Sequence, residues 1–491
     1  MLFNSYEFIF LFLPIALLVF FWLAQLNHTY SAAWLAVASI FFYGYWNVAY
    51  VGLLLLSIIC NYVFGMWIAK ERLKKAAGDG KKLLIIAVAA NLLLLGYYKY
   101  ADFFLGSVNR VAGTQFSLVE IILPLGISFF TFTQIAFLVD TWQGKVREYN
   151  FVHYTLFVTY FPHLIAGPVL HHGEMMPQFA QRSNYRINWS HVADGILLFT
   201  LGLCKKTLWA DSFAPYADAV FGGVERGEIP TVYEAWSGAL AYTMQIYFDF
   251  SGYTDMALGI ALMFNIRLPI NFNSPYKASS IIDFWRSWHM TLSRFLRDYL
   301  YIPLGGNRKG KLRRYINLMV TMLLGGLWHG AGWTFVCWGA LHGLYLAINH
   351  LWREWLPAGA VRWVPSMFSV IAGGAITFVS VVLAWVVFRS TDIAHAFIML
   401  KAMTGIEARE ITFEKVIHGQ LLLSTGLSGR ELVIMLLSAM AWVWLLPNST
   451  RLKFIGGGTL LTLGQSIIAA VFLVLAIDRF GSYSPFLYFQ F

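Results

Sequence analysis

The chain has 491 residues, of which 58% are hydrophobic, 17% aromatic and only 12% charged. Soluble globular proteins carry about 25% charged residues, so this composition excludes a soluble domain. The formal charge of +10 is the Lys/Arg excess expected of the short cytoplasmic loops of a membrane protein, and it does not point to nucleic acid.

Taken in order, Phe8–Asn27 is the first uncharged stretch long enough to cross a bilayer as a helix. It lacks a basic n-region and a small-x-small cleavage site, so it is expected to remain as a span rather than be removed as a signal peptide. His28–Ala69 is long enough for two passes. The loop KERLKKAAGDGKK, Lys70–Lys82, holds six basic and two acidic residues. It is placed in the cytoplasm, which puts the N-terminus outside. Leu83–Ala101 goes out and Ile121–Val139 returns, landing on Lys145 and Arg147. Trp363–Phe388, Leu432–Thr450 and Phe454–Ile477 are further uncharged stretches, and the tail after Asp478 is expected outside. The fold class is therefore all-α and polytopic, as a single domain without a convincing internal repeat.

Two central regions are irregular. Tyr149–Gly173 is interrupted by Pro162, Gly167 and Pro168, and Tyr315–Trp352 by Gly325, Gly326, Gly330 and Gly332. Broken backbone at membrane depth is tolerated where it is buried in protein or lines a cavity. A non-spanning core enclosed by ordinary outer helices is expected.

Tyr315–Trp352 contains no Asp, Glu, Lys or Arg, yet it holds His329 in the run GGLWHGAGWTF. An imidazole there either hydrogen-bonds a neighbouring helix or exchanges a proton with a substrate hydroxyl. Ionisable groups inside membranes usually serve function, and the flanking glycines let a substrate approach the backbone. His289 lies in DFWRSWHMTLSRFLRDYLYIPLGGNRKG. Trp285, Trp288 and Leu292 share one face if this segment is helical, so an amphipathic interfacial helix is expected, with His289 a weaker second candidate. In QIYFDFSGYTDMA, the residues Asp249, Ser251, Tyr253 and Asp255 are polar groups in an apolar setting. They are read as cavity-wall residues, with Asp249 also able to orient a histidine.

Other patterns fall short. LGGNRKGKL approaches a phosphate-binding loop, but Leu312 stands where Ser or Thr is needed and no βα unit surrounds it. A basic cytoplasmic loop attracting lipid headgroups is preferred. His153, His163, His171 and His172 match no metal-ligand spacing. Cys60, Cys204 and Cys337 lack CxxC spacing, which argues against a disulfide framework or a zinc site.

The motifs FPHLIAGP (Phe161–Pro168), QIYFDFSGYTDMA, FWRSWHMTLSRFLRDYLYIPLGGNRKG and LLGGLWHGAGWTF together resemble the bacterial polysaccharide-modifying branch of the membrane-bound O-acyltransferases. The resemblance implies a ring of about 10–12 transmembrane helices around a thinned core with a central funnel. It maps the family's active-site histidine onto His329 and a second histidine onto His289. Trp285, Trp288 and Trp328 join Asp249, Ser251 and Tyr253 as candidate funnel-lining residues. Acetyl-CoA is the implied acyl donor, with no resident cofactor and no metal. The implied partners are a periplasmic SGNH-type acetyltransferase and a polysaccharide synthesis and export complex in the inner membrane. In the segment GSYSPFLYFQF, Gly481–Phe491, Tyr488 is either part of an aromatic belt at the interface or a covalent acyl relay. A transporter or flippase of a lipid-linked or sugar substrate is the rival class. It also uses discontinuous helices, but it predicts paired half-repeats.

Overall fold

A computed structural model describes residues 1–74, 77–119, 121–146, 150–355, 366–410, 427–452, 459–481 and 486–487. Among these residues all regular structure is helical. The chain groups into two compact units. One comprises Met1–Leu203, Tyr253–Ile270 and Lys453–Gly481; the other comprises Cys204–Gly252, Asn271–Leu452 and Ser482–Phe491. Four helices among the described residues are long and apolar enough to cross a membrane: Glu7–Leu26, Ala49–Leu73, Gly80–Ala112 and Met367–Arg389. Each overlaps a span expected from the sequence, because a run of about 20 predominantly apolar residues can satisfy its backbone in lipid as a helix.

In the first unit, the expected double pass divides into His28–Gly44 and Ala49–Leu73. Asn27 caps the former by accepting the Thr29 amide at 2.8 Å. Buried polar side chains tie the helices together. Asn61 and Asn91 exchange amide hydrogen bonds of 3.1 and 2.6 Å, and Gln134 donates to Ser57 Oγ at 2.9 Å while accepting from the Tyr154 hydroxyl at 3.2 Å. Such bonds contribute only about 0.6 kcal/mol each on average, so their main effect is to fix which faces meet. Gly195 and Gly259 allow backbones to touch: a Cβ on either would come within 2.7 Å of the other's carbonyl oxygen. Two expected boundaries move. The helix expected over Ile121–Val139 begins at Ile127, after Pro124 and a left-handed Gly126 with φ 70°. The helix expected over Leu83–Ala101 continues to Ala112 through a π-turn at Gly96–Tyr100. The Tyr149–Gly173 region is broken as expected, into Phe151–Thr159 and Phe161–Leu164, with His172–Phe179 following.

The second unit is built on Lys311–His329 and Trp333–Trp355, two helices joined at Gly330–Gly332. They form a close hairpin. A Cβ on Gly326 would lie 2.2 Å from the Phe335 carbonyl oxygen, and one on Gly339 would lie 2.3 Å from that of Met322. A Cβ on Gly330 would strike the Phe335 ring at 2.1 Å. These glycines therefore serve the approach of protein to protein, which corrects the expectation that they make room for a substrate. Tyr276 ties further elements to the same core. Its hydroxyl donates to the Thr243 carbonyl at 2.8 Å and accepts from Trp385 at 3.2 Å, and its carbonyl accepts from Trp444 at 3.0 Å.

The segment Asp283–Gly310 is not one amphipathic helix. It forms the short helices Ile281–Trp285 and Met290–Leu296, then a π-turn at Arg297–Tyr301. The interruption has a local cause. The amide of Asn273 donates to the Ser287 carbonyl and the Met290 amide to the Asn271 carbonyl, both at 2.9 Å. The Met290 amide and the Ser287 carbonyl thus leave the helical pattern, while the Arg286 and Trp288 amides still donate to the Ile282 and Phe284 carbonyls four residues back. Trp288 and Leu292, expected on an interfacial face, are buried in the unit's interior.

Candidate active site

His329 is the last residue of its helix, immediately before the Gly330–Gly332 break. Its ring is surrounded by Trp328, Trp338 and Phe388, with centroids at 4.9, 5.1 and 5.4 Å. The His289 ring lies 6.4 Å away. The two imidazoles mapped from separate motifs are therefore neighbours. They differ in access: His329 keeps 6% of its surface exposed, whereas His289 keeps none. Of the two, only His329 retains any exposed surface.

His289 is held in a conformation that few side chains adopt. Its φ is 42° and ψ 51°, a left-handed geometry that costs a non-glycine residue roughly 1–2 kcal/mol. Asn271 offsets this cost. Its Oδ1 accepts the Thr291 amide at 3.2 Å, the Thr291 hydroxyl at 2.8 Å and His289 Nδ1 at 3.1 Å. An atom receiving a backbone N–H is an acceptor, so Nδ1 carries the imidazole hydrogen and Nε2 carries the lone pair. His289 lies outside the spanning helices, and burial lowers its pKa to about 3. It is a neutral imidazole at physiological pH.

The tryptophans cluster around this pair. Trp285 packs 5.8 Å from Trp338, and Trp385 lies 5.0 Å from Trp288 and 5.8 Å from Trp338. Trp328 sits 6.0 Å from His289. Trp285, Trp288, Trp328, His289 and His329 thus all belong to one aromatic cluster. Trp338 Nε1 is buried and has no hydrogen-bond partner among the described residues. The same is true of His342 Nε2, which must carry a hydrogen because Nδ1 accepts from Trp285 Nε1 at 3.2 Å.

The motif around Asp249 divides. Asp249 binds Lys206 at 2.8 Å and the Leu487 amide at 3.0 Å. It orients no histidine, because its two oxygens are already committed to a buried ammonium and a backbone N–H. The next residue, Phe250, places its ring 4.8 Å from that of His289. Ser251 is buried, and its hydroxyl has no partner among the described residues. Tyr253 falls in the other unit, where it stacks on Phe3 at 4.9 Å. Tyr488 lies outside the described residues. Sequence reasoning passed over Asn271, Lys206, Trp338 and His342. The adjacent Lys205–Lys206 pair within apolar GLCKKTLWA was the available signal for Lys206; His342 had the same signal, an imidazole in a stretch without formal charge.

The model of the membrane-bound O-acyltransferase family matches residues 40–386. A peptidoglycan O-acetyltransferase from Helicobacter pylori is 45% identical over 83% of this chain and 80% of its own length. A probable alginate O-acetylase from Pseudomonas putida is 39% identical over the whole of both chains. A teichoic acid D-alanyltransferase from Streptococcus thermophilus is 26% identical over 57% of this chain and 70% of its own. The chain belongs to the membrane-bound O-acyltransferase family; it is a multi-pass membrane protein and an acyltransferase.

Proposed function

We propose, with that membership as the premise, that the protein takes an acetyl group from cytosolic acetyl-CoA and passes it across the bacterial inner membrane for O-acetylation of an extracytoplasmic polysaccharide. The observation that carries this reading is the pair of buried imidazoles 6.4 Å apart at a helix break. The names of the relatives, peptidoglycan O-acetyltransferase and alginate O-acetylase, support a polysaccharide as the final acceptor. An alginate- or cellulose-type exopolysaccharide remains the proposed class, with a periplasmic SGNH-type acetyltransferase and the polymer's synthesis and export complex as partners. Family membership favours this reading over a flippase.

A thioester is already activated, so the protein must orient it, exclude water and deprotonate the incoming hydroxyl. His329 is the proposed general base. The carbonyls at its helix's C-terminus favour the imidazolium that forms when it takes the proton. The hydroxyl oxygen then bonds the acetyl carbon, the carbon–sulfur bond breaks, and the departing thiolate receives the proton back from His329. General-base assistance contributes about 10²–10⁴-fold. His289, neutral and fixed by Asn271, is the proposed second histidine of the site, its ring 6.4 Å from that of His329. The Trp338 N–H is the proposed donor to the oxygen that gains negative charge in the tetrahedral intermediate.

Tyr488 is the proposed first acceptor. Its sequence neighbour Leu487 is bound to Asp249, and Phe250, beside Asp249, packs against His289. This supports a phenol acting as a covalent carrier over one that only anchors the segment at the interface. The test is purified protein with acetyl-labelled acetyl-CoA, followed by intact-mass and peptide analysis. Label on residue 488 in the absence of a partner, discharged when the partner is added, is the expected result. Consumption of no acetyl-CoA under any condition overturns the proposed donor.

A further inference from the structure

Lys206 is 1% exposed and touches two carboxylates, Asp211 Oδ1 at 2.7 Å and Asp249 Oδ1 at 2.8 Å. Asp211 and Lys206 stand on consecutive turns, and Asp249 comes from Val232–Met263. With all three ionised the cluster carries one net negative charge. Buried charges are tolerated only when their remaining lone pairs and protons are met by further hydrogen bonds. Here the second oxygen of Asp249 is met by the Leu487 amide at 3.0 Å, and Lys206 Nζ lies 4.8 Å from the centroid of the Phe486 ring. The two described residues of the 482–491 segment, both buried, are therefore held at one place by a carboxylate and an ammonium.

We infer that Lys206, Asp211 and Asp249 are positioning residues, forming a clamp that docks the segment containing Tyr488 for acyl transfer. The division of labour follows from the chemistry. Asp249 binds a backbone N–H, which any residue except proline at 487 supplies. Lys206 faces a ring, which selects an aromatic residue at 486 through a cation–π contact. Asp211 holds the ammonium in place for both. The clamp itself rests on these contacts; its bearing on catalysis rests on the reading of Tyr488 as acyl carrier.

Asp249 accepts at both oxygens, so Asp249→Asn keeps the shape but can satisfy only one donor; its oxygen goes to the charged Lys206 and its NH₂ is left facing the Leu487 amide. Phe486→Ala perturbs the same contact from the segment's side and leaves the buried charges intact. The experiment is hydrogen exchange of the Leu487 amide by mass spectrometry in the full chain, read against amides of Val232–Met263 as an internal reference, together with acetyl transfer to the partner protein. Both variants should speed Leu487 exchange by roughly tenfold or more, the factor a charge-assisted hydrogen bond supplies, with the reference helix unchanged and transfer reduced in parallel. Leu487 exchange equal to wild type in both variants overturns the clamp, and release of the segment with undiminished transfer overturns its role in acyl transfer. Tyr488→Phe separates the two readings. If it transfers fully while Leu487 stays protected, the relay assignment falls and the docking contact stands; if it loses transfer with Leu487 protected, both stand.

Discussion

Gly326→Ala tests whether the hairpin positions His329. The two residues are three apart on one helix, so they lie on neighbouring faces of adjacent turns. A methyl group at 326 would stand 2.2 Å from the Phe335 carbonyl oxygen and 3.1 Å from the backbone of Gly339. Neither neighbour is a flexible side-chain end, and ordinary contact begins at 3.4 Å, so the helices must part by about 1 Å. Overpacking of this kind costs about 1–3 kcal/mol, against roughly 1 kcal/mol that alanine returns in helix propensity. The protein should therefore still fold. A displacement of 1 Å at the reacting group, however, lowers rate by about 10²-fold. Gly325→Ala is the matched control, because its methyl group meets only the end of Leu296 at 3.1 Å. The assay is the initial rate of labelled acetyl transfer by detergent-purified variants, with thermal unfolding measured alongside. A wild-type rate in Gly326→Ala, or equal losses in both variants, refutes the positioning argument.

Other substitutions follow from the same geometry. His289→Ala removes the imidazole but keeps the left-handed backbone, so it should lower both rate and stability. His289→Asn tolerates that backbone better and should recover stability without recovering rate, which paired unfolding and transfer measurements would separate. Because burial depresses the His289 pKa from 6.5 to about 3, its contribution to stability is complete above pH 6.5 and lost as pH falls towards 3. The acid-side slope of stability against pH should accordingly be shallower in His289→Asn than in wild type. Trp338→Phe preserves an aromatic ring while deleting the N–H; if that group faces the developing oxyanion, kcat should fall by about 10²-fold with KM little changed, and an unaltered kcat removes it from the mechanism. Tyr488→Phe should abolish label on residue 488 and transfer to the partner, and full transfer by that variant leaves the residue an anchor only.

The outer helices were legible because lipid imposes a rule that composition can report: about 20 residues without charge. Glu7–Leu26 and Met367–Arg389 fall close to where the missing charges placed them. His329 and His289 were legible for a related reason, as imidazoles beside apolar sequence and in motifs resembling a known family. What the sequence hid depends on pairing between distant residues. Nothing near His289 signals that Asn271 and Asn273 will take its neighbours' backbone hydrogen bonds and split an apparently amphipathic helix. Nor does the glycine run around His329 reveal that its near neighbours are Phe335 and Gly339 rather than a ligand. Lys206 lay in plain view beside Lys205, but its partners Asp211 and Asp249 are united only by folding. Asp249 stands out in the sequence as a carboxylate in an apolar setting, a cavity-wall group able to orient a histidine, but spacing along a helix does not say which cation will meet it.

The most direct measurement of the central claim compares wild type with His329→Gln, which keeps a buried polar side chain but cannot shuttle the proton. Each is purified, incubated with labelled acetyl-CoA, and quenched for label on the chain and on the added partner. Label is expected in the wild type, with a loss of about 10²–10⁴-fold in the variant and thermal unfolding unchanged to within a few degrees. Wild-type labelling by a folded His329→Gln would contradict it.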